Sequence, residues 1–239
     1  MKKSISPLLE LTDVTAGYGQ TPVLLDINMQ VDKGDMVCIL GRNGVGKTTL
    51  LRSIIGLNKV NKGSIIFDAD DITKTPTYKR SRYGIAYIPQ GREIIPYLTV
   101  LDNLKLGLTA NRNKKTANLL EEVFEFFPML KQHLKRQGGL LSGGQQQQLA
   151  IARGLMSDPQ MILLDEPTEG IQPSIVQEIE ATLRRINSEK EITVMVVEQK
   201  IDFAKQLAQR FFMMEKGAVV AQGNTKELDE TLVHRYLAV

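Results

Sequence analysis

Cysteine occurs once in this chain, at Cys38, so no disulfide can form within it. Its neighbours, Met36-Val37 and Ile39-Leu40, make it a small apolar residue of a core strand. Apolar runs are short: none approaches the ~18–20 residues that cross a bilayer. The opening Met1-Lys2-Lys3-Ser4-Ile5-Ser6-Pro7 lacks the apolar core of a secretory signal. The expectation is an intracellular protein whose membrane role comes through a partner. An excess of either charge is also missing, since 30 Lys and Arg stand against 27 Asp and Glu, a net charge of +3. No basic tract with interleaved aromatics appears, which argues against nucleic acid as a partner. Repeats and low-complexity segments are absent apart from the run Gln145 to Gln148. What remains is an ordinary globular composition, 42% hydrophobic and 24% charged over 239 residues. A chain of that length forms one large domain or two small ones and buries roughly 70–75% of its unfolded surface.

The most informative stretch is Gly41-Arg42-Asn43-Gly44-Val45-Gly46-Lys47-Thr48-Thr49, which fits the phosphate-binding loop pattern G-x-x-x-x-G-K-[ST]. Its flanks agree with that pattern. Met36 to Leu40 is a short apolar run bounded by Gly34, the mark of a buried strand. Leu50, Leu51, Ile54 and Ile55 recur at helical spacing, and Gly56 is a stop. Strand, glycine loop and helix follow in order. Glycines let the backbone wrap a phosphate and turn successive N–H groups inward. The helix start adds unpaired N–H groups and a positive dipole end. Lys47 can reach the outer phosphates, and the Thr48 hydroxyl can take a place on Mg²⁺.

Elsewhere the chain alternates strands and helices. Leu9 and Leu11 mark a strand, Ala16-Gly17-Tyr18-Gly19 a turn carrying an aromatic, and Leu25, Ile27, Met29 and Val31 a half-buried strand. Ser64 to Phe67 and Gly84 to Gln90 read as further strands. From about Arg92 to Asp158 the pattern turns helical. Thr99 caps a helix with Leu101, Leu104 and Leu108, and a polar link runs from Asn111 to Lys115. A second helix follows, interrupted at Pro128, with a polar connector from Lys131 to Gly139. The α/β pattern then resumes. Met161 to Leu164 and Ile192 to Val197 read as strands, Pro173 opens a helix with Ile175, Ile179, Leu183 and Ile186 on one face, and Ile201 to Ala208 is a helix. A hairpin turns at Lys216-Gly217.

Two constellations carry chemistry beyond the loop. Ile162-Leu163-Leu164 delivers Asp165 to the C-terminal end of a buried strand, where open α/β sheets bind ligands. Asp165 can hold Mg²⁺ there, and Glu166 can polarise an attacking water, an action that contributes about 10²–10⁴-fold. Leu141-Ser142-Gly143-Gly144-Gln145 contains a capping box, Ser142 with Gln145, opening a helix from Gln146 to Met156. Its glycines leave the helix start bare, a second anion site. Two phosphate-binding helix starts beside one nucleotide's worth of other motifs point to a head-to-tail pair of chains that share their sites.

Across essentially its whole length the chain resembles the ATP-binding cassette ATPase subunits of transporters. The resemblance implies an α/β cassette: a phosphate-loop, RecA-like core with an antiparallel β-subdomain (1–91 and 159–239) and a helical insertion (92–158). It assigns ATP to Gly41–Thr49, with Tyr18 stacked on the adenine. The residues Ser142, Gly143, Gly144 and Gln145 become the signature that meets the partner's ATP. Asp165, Thr48 and Gln90 become Mg²⁺ ligands or sensors, with Gln90 also sensing the membrane subunit, and Glu166 becomes the catalytic base. Two positions depart from the family pattern. Gln199 stands 34 residues beyond Asp165, where a histidine is usual, and Gln172 stands where an aspartate is usual. Both resemble the branch that imports branched-chain amino acids and urea. The stretches from Gln90 to Pro96, Asp165 to Ser174 and Glu198 to Ala204 are most similar to its urea ATPase subunits. That implies a peripheral subunit at the cytoplasmic face of the membrane. Its partners are a second cassette, as a heterodimer or, in isolation, a homodimer, two membrane permeases and, indirectly, an extracytoplasmic solute-binding protein. The expected solute is urea or a related amide. The alternatives are a branched-chain amino acid importer and a nucleotide-gated switch of very low turnover.

Overall fold

The computed structural model describes residues 6–19, 21–111 and 118–228, together with Leu232 and Tyr236. The sequence readings on residues 1–5 and 112–115 lie outside the described residues. In chain order the elements are β1 (Leu9–Tyr18), β2 (Thr21–Val31), β3 (Met36–Leu40), α1 (Lys47–Ile55), β4 (Val60–Phe67), β5 (Asp70–Asp71), α2 (Thr77–Arg82) and β6 (Ile85–Ile88). Helices α3 (Val100–Gly107), α4 (Leu119–Phe126), α5 (Pro128–Gln132) and α6 (Gly143–Leu155) follow. The chain then runs through β7 (Met161–Asp165), α7 (Pro173–Lys190), β8 (Thr193–Glu198), α8 (Ile201–Leu207), β9 (Arg210–Glu215) and β10 (Ala218–Asn224). It forms two compact units, Met1–Arg80 with Val197–Val239, and Ser81–Val196.

The first unit holds an antiparallel sheet ordered β2-β1-β4-β5. The sequence pattern placed a turn at Ala16-Gly17-Tyr18, but these residues continue β1, and Tyr18 pairs with Thr21. Gly17 permits this because a Cβ there would lie 2.0 Å from the Thr21 carbonyl oxygen. Leu25, read as inward-facing, is 46% exposed, and Leu24 is buried in its place. The cause is a break in alternation at Asp26, whose φ of 49° shifts the register and flips the parity of the residues before it. Asp13, also at φ 49°, lies in the opposing strand and exchanges two hydrogen bonds with the Asn28 side chain. In the same unit β9 lies between β3, to which it is parallel, and β10, to which it is antiparallel. The hairpin at Lys216-Gly217 forms as the pattern implies.

Helix α2 has no counterpart in the sequence reading, because Thr77 to Arg82 carries no apolar face. It is anchored by a buried cation: Arg80 is 2% exposed. Its guanidinium donates to the carbonyls of Ser53 and Ile54 at the end of α1, each at 2.8 Å, and to those of Thr73 at 2.9 Å and Thr75 at 2.7 Å. A cation on the C-terminal carbonyls of a helix complements its dipole. Burial pulls the guanidinium down to about 10, which leaves it charged at neutral pH. Arg80→Met removes the donors to four carbonyls at once. Unfolding free energy should fall by about 3–4 kcal/mol, and the melting temperature by roughly 10 °C for a chain of this size. A thermal melt checks this, and an unchanged midpoint would mean that water serves those carbonyls equally well.

In the second unit β7 has β6 parallel on one side and β8 on the other, and all five of its residues are buried. The Thr99 side chain caps α3 by accepting from the Asp102 N–H, as expected. Leu108, read as part of that helix, falls instead in a 3₁₀ turn, Leu108–Ala110. Helix α3 crosses α6 closely at Gly107, where a Cβ would lie 2.1 Å from the Arg153 carbonyl oxygen. Pro128 separates α4 from α5, as expected for a residue without an N–H. Helix α7 buries Ile179, Leu183 and Ile186.

Candidate functional site

The phosphate-loop residues lie in the first unit. All five residues of β3 are buried, which sets the start of the loop firmly. A Cβ on Gly41 would approach the Met214 carbonyl oxygen to 2.6 Å, so the loop can leave the strand only with glycine there. Gly46 caps α1 at φ 107°, without a side-chain hydrogen bond, and the first turn contains no acidic residue. The first N–H groups of a helix have no intrahelical acceptor, so α1 presents donors and a positive dipole end. Arg42, Asn43 and Gly44 are exposed, Val45 and Thr48 half-buried, and Thr49 buried. Lys47 is only 4% exposed. Its ammonium donates to the carbonyl oxygens of Gly41 at 2.8 Å and Arg42 at 3.0 Å, which holds the positive charge along the loop.

A brace that sequence reasoning missed supports this loop. The Gly217 N–H donates to the Val45 carbonyl at 3.0 Å, and the Gly217 carbonyl accepts from the Leu25 N–H at 2.8 Å. The turn between β9 and β10 thus pins the middle of the glycine loop to β2. The contact joins residues far apart in the chain, and no periodicity signals it.

Glu198 is a second omission. It ends β8, is 3% exposed, and accepts the Gln199 N–H at 3.2 Å. Burial raises the Cys38 thiol well above its usual range; the Glu198 carboxylate raises it further and Lys47 lowers it. Cys38 therefore stays protonated, in keeping with an inert core residue. The signal for Glu198 was present in the sequence: an apolar run ending in a carboxylate, the pattern that singled out Asp165. Gln199 is half-buried just beyond the strand. Tyr18, at the far end of β1, is 52% exposed.

The carboxylates and the Ser142 helix start lie in the second unit. Asp165 is 1% exposed and accepts the Tyr87 hydroxyl at 3.2 Å. Glu166 has φ 46°, a left-handed backbone that turns the chain sharply where the strand ends. Such a conformation costs of order 1–3 kcal/mol in a non-glycine residue and clusters at functional positions. The exposed Gln90 donates to Glu169 at 2.8 Å, a partner that sequence reasoning did not single out. The Ser142 hydroxyl accepts the Gln145 N–H, and the Gln145 side chain accepts the Ser142 N–H, so the capping box is complete. The helix therefore begins at Gly143 and not at Gln146, because a cap at Ser142 makes Gly143 its first residue. The glycines here also allow close packing. A Cβ on Gly144 would lie 2.6 Å from the Ile175 side chain, and one on Gly143 would lie 3.1 Å from the Arg92 guanidinium. Among the described residues no three His, Cys, Asp or Glu gather where they could hold a metal ion by themselves. No helix among them is long and apolar enough to cross a membrane.

A family model described as ABC transporter matches residues 24–169. The high-affinity branched-chain amino acid transport ATP-binding protein BraG of Pseudomonas aeruginosa is 37% identical over 213 residues, covering 89% of this chain and 91% of that protein. The probable branched-chain amino acid transport ATP-binding protein LivF of Archaeoglobus fulgidus is 31% identical over 223 residues, covering 93% and 94%. Among solved structures, the ADP conformation of an ATP-binding cassette of an ABC transporter is similar with a TM-score of 0.85 at 27% identity, over 96% of this chain and 98% of that one. A dimeric cassette in a post-hydrolysis state, bound to ADP and Pi, is similar with a TM-score of 0.80 at 27% identity, over 91% and 98%.

Proposed function

This chain belongs to the ABC transporter family as an ATP-binding subunit, and from that premise we propose that its ATP hydrolysis powers the import of a small polar solute through membrane partners. Its fold is that of the ATP-binding cassette, and its activity is an ATPase coupled to transport. The observation that carries the proposal is the start of α1: an uncapped helix end with no acidic residue in its first turn, beside a buried lysine held on the loop carbonyls. Such an assembly favours a polyanion.

The proposed division of labour follows from the chemistry of each group. Gly41 to Thr49 hold the phosphates of ATP, with Lys47 on the outer two, and Tyr18 stacks on the base. Thr48 and Asp165 hold Mg²⁺, with Gln90 as its sensor. One hydroxyl and one carboxylate suit this ion, which keeps most of its shell for water and substrate phosphates. When bound, Mg²⁺ supplies charge neutralisation at the phosphates. Glu166 orients and polarises the attacking water. Gln199 donates a hydrogen bond toward the γ-phosphate, and as a neutral amide it does so at any pH near neutrality. Ser142 to Gln145 serve the nucleotide of a second cassette, in a sandwich that ATP closes and hydrolysis reopens. The dimeric state of a similar cassette supports that arrangement. We propose further that residues 92–158 form a helical subdomain inserted in a core of 1–91 and 159–239.

For the solute we propose urea or a related amide, on the resemblance of the stretches beginning at Gln90, Asp165 and Glu198. A second reading, branched-chain amino acids, is favoured by the names of the two relatives above. Solute contacts lie on other subunits, so one experiment on the intact transporter separates them. A strain lacking this chain should lose uptake of labelled urea and keep that of labelled leucine. Loss of leucine uptake alone would select the second reading. ATP turnover at background level in the assembled complex would overturn transport and leave a nucleotide-gated switch.

A further inference from the structure

Three successive residues after Gln90 have left-handed backbones: Gly91 at φ 78°, Arg92 at 73° and Glu93 at 44°. Glycine adopts that conformation freely, but arginine and glutamate carry a steric cost in it. Such a run persists only where its surroundings over-determine it. Two backbone bonds tighten it from within, Arg92 N–H to the Pro89 carbonyl at 3.1 Å and Glu93 N–H to the Gly91 carbonyl at 2.8 Å. The external constraint comes from α6. Arg153 donates to the Glu93 carbonyl at 2.8 Å and to the Arg92 carbonyl at 3.4 Å. Its guanidinium is half-buried, and burial makes its charge harder to hold, a cost that the nearby Glu93 carboxylate opposes. The Arg92 side chain reaches toward the opposite end of the same helix. It donates to Gln146 at 3.4 Å, and its guanidinium lies 3.1 Å from where a Cβ on Gly143 would stand. Positions 143, 146 and 153 share one helix face. The segment is therefore clipped along α6 from the first turn to the last, and at its near end Gln90 is held on Glu169.

We propose that Arg153 is a positioning residue for Gln90: by holding the Arg92 and Glu93 carbonyls it keeps the three residues after Gln90 left-handed and so fixes where the glutamine side chain is presented. This rests on the reading of Gln90 given above. Arg153 touches neither nucleotide nor water in that reading; it acts through the backbone conformation of residues 91–93.

The test uses the full chain and three readouts: kcat and KM for ATP, amide hydrogen exchange at residues 91–93, and thermal melting. Arg153→Gln should lower kcat about 10-fold while KM for ATP stays within about twofold, because the phosphate loop is untouched. Exchange at residues 91–93 should rise about 10-fold or more as the clamp is lost. Arg153→Lys, which keeps the charge but only one bond, should fall between. The decisive variant is Glu93→Gly. Alone it should hydrolyse within about twofold of the parent, and combined with Arg153→Gln it should recover at least about half of the lost rate, since glycine enters the left-handed backbone without the steric cost that glutamate carries. A parent-like rate in Arg153→Gln overturns the proposal. So does a loss that Glu93→Gly fails to recover although both variants melt like the parent, since Arg153 would then only support α6. If Arg153→Gln melts below the assay temperature, Arg153→Lys carries the same comparison. A parent chain that turns over no ATP defeats the functional reading instead, and hydrogen exchange alone then decides: unchanged protection in Arg153→Gln overturns the clamp.

Discussion

Lys47→Ala should weaken ATP binding by about 10²-fold or more while leaving the chain folded. Two charge-assisted hydrogen bonds to phosphate, each worth about 1.5–3 kcal/mol, account for a loss of that size. Of the two carbonyls that the ammonium now contacts, that of the exposed Arg42 can turn to water while that of the buried Gly41 loses its donor, so a smaller loss of stability should accompany the loss of binding. The Cys38 thiol would lose the one positive group that lowers it, which leaves it still less ionised. Titration with a fluorescent ATP analogue, beside circular dichroism for the fold, measures this. Near-parent affinity in a folded variant would remove Lys47 from the nucleotide site.

Glu166→Gln should show the opposite split. Binding should be retained, because the amide is isosteric and takes up the same left-handed turn at φ 46°. Hydrolysis should slow about 10²-fold or more, the scale of a lost general base. Within the proposed sandwich the uncleaved γ-phosphate keeps both halves together, so ATP and Mg²⁺ should shift the variant to a dimer on size exclusion. ADP should not. A variant that turns over ATP at the parent rate would show that Glu166 does not polarise the water, and the base would have to be sought among the other acidic groups near β7.

The contrast between the two substitutions depends on groups that were legible to different degrees. The path from β3 through the glycine loop into α1 was plain because every cue there is local: an apolar run, glycines at fixed offsets and a helical repeat closed by Gly56, which caps α1 at φ 82°. The Ser142 cap was plain for the same reason, although its helix begins three residues earlier than the apolar pattern suggested. What failed was what depends on distant partners. The parity of β2 could not be read because a left-handed Asp26 interrupts it. Helix α2 was invisible because its only buried residue is a charged one, held by carbonyls from other elements. Gln90 was read without Glu169, 79 residues away. Glu198 stands one position past the last apolar residue of β8, so the apolar run does not reveal its burial.

The bond between Gly217 and Val45 has a consequence for synthesis on the ribosome. Gly217 lies 168 residues beyond Thr49. At about 5–20 residues per second, roughly 10–30 s separate the emergence of the glycine loop from that of the turn that braces it. The stretch Ser81–Val196 is continuous and wholly synthesised within that interval, whereas the unit holding the loop is split between the first and last parts of the chain. A nascent chain should therefore acquire its folded middle first and its grip on nucleotide last. Chains stalled before residue 209, lacking both β9 and the turn, would carry the complete loop motif without the bond that pins Val45 to the rest of its unit.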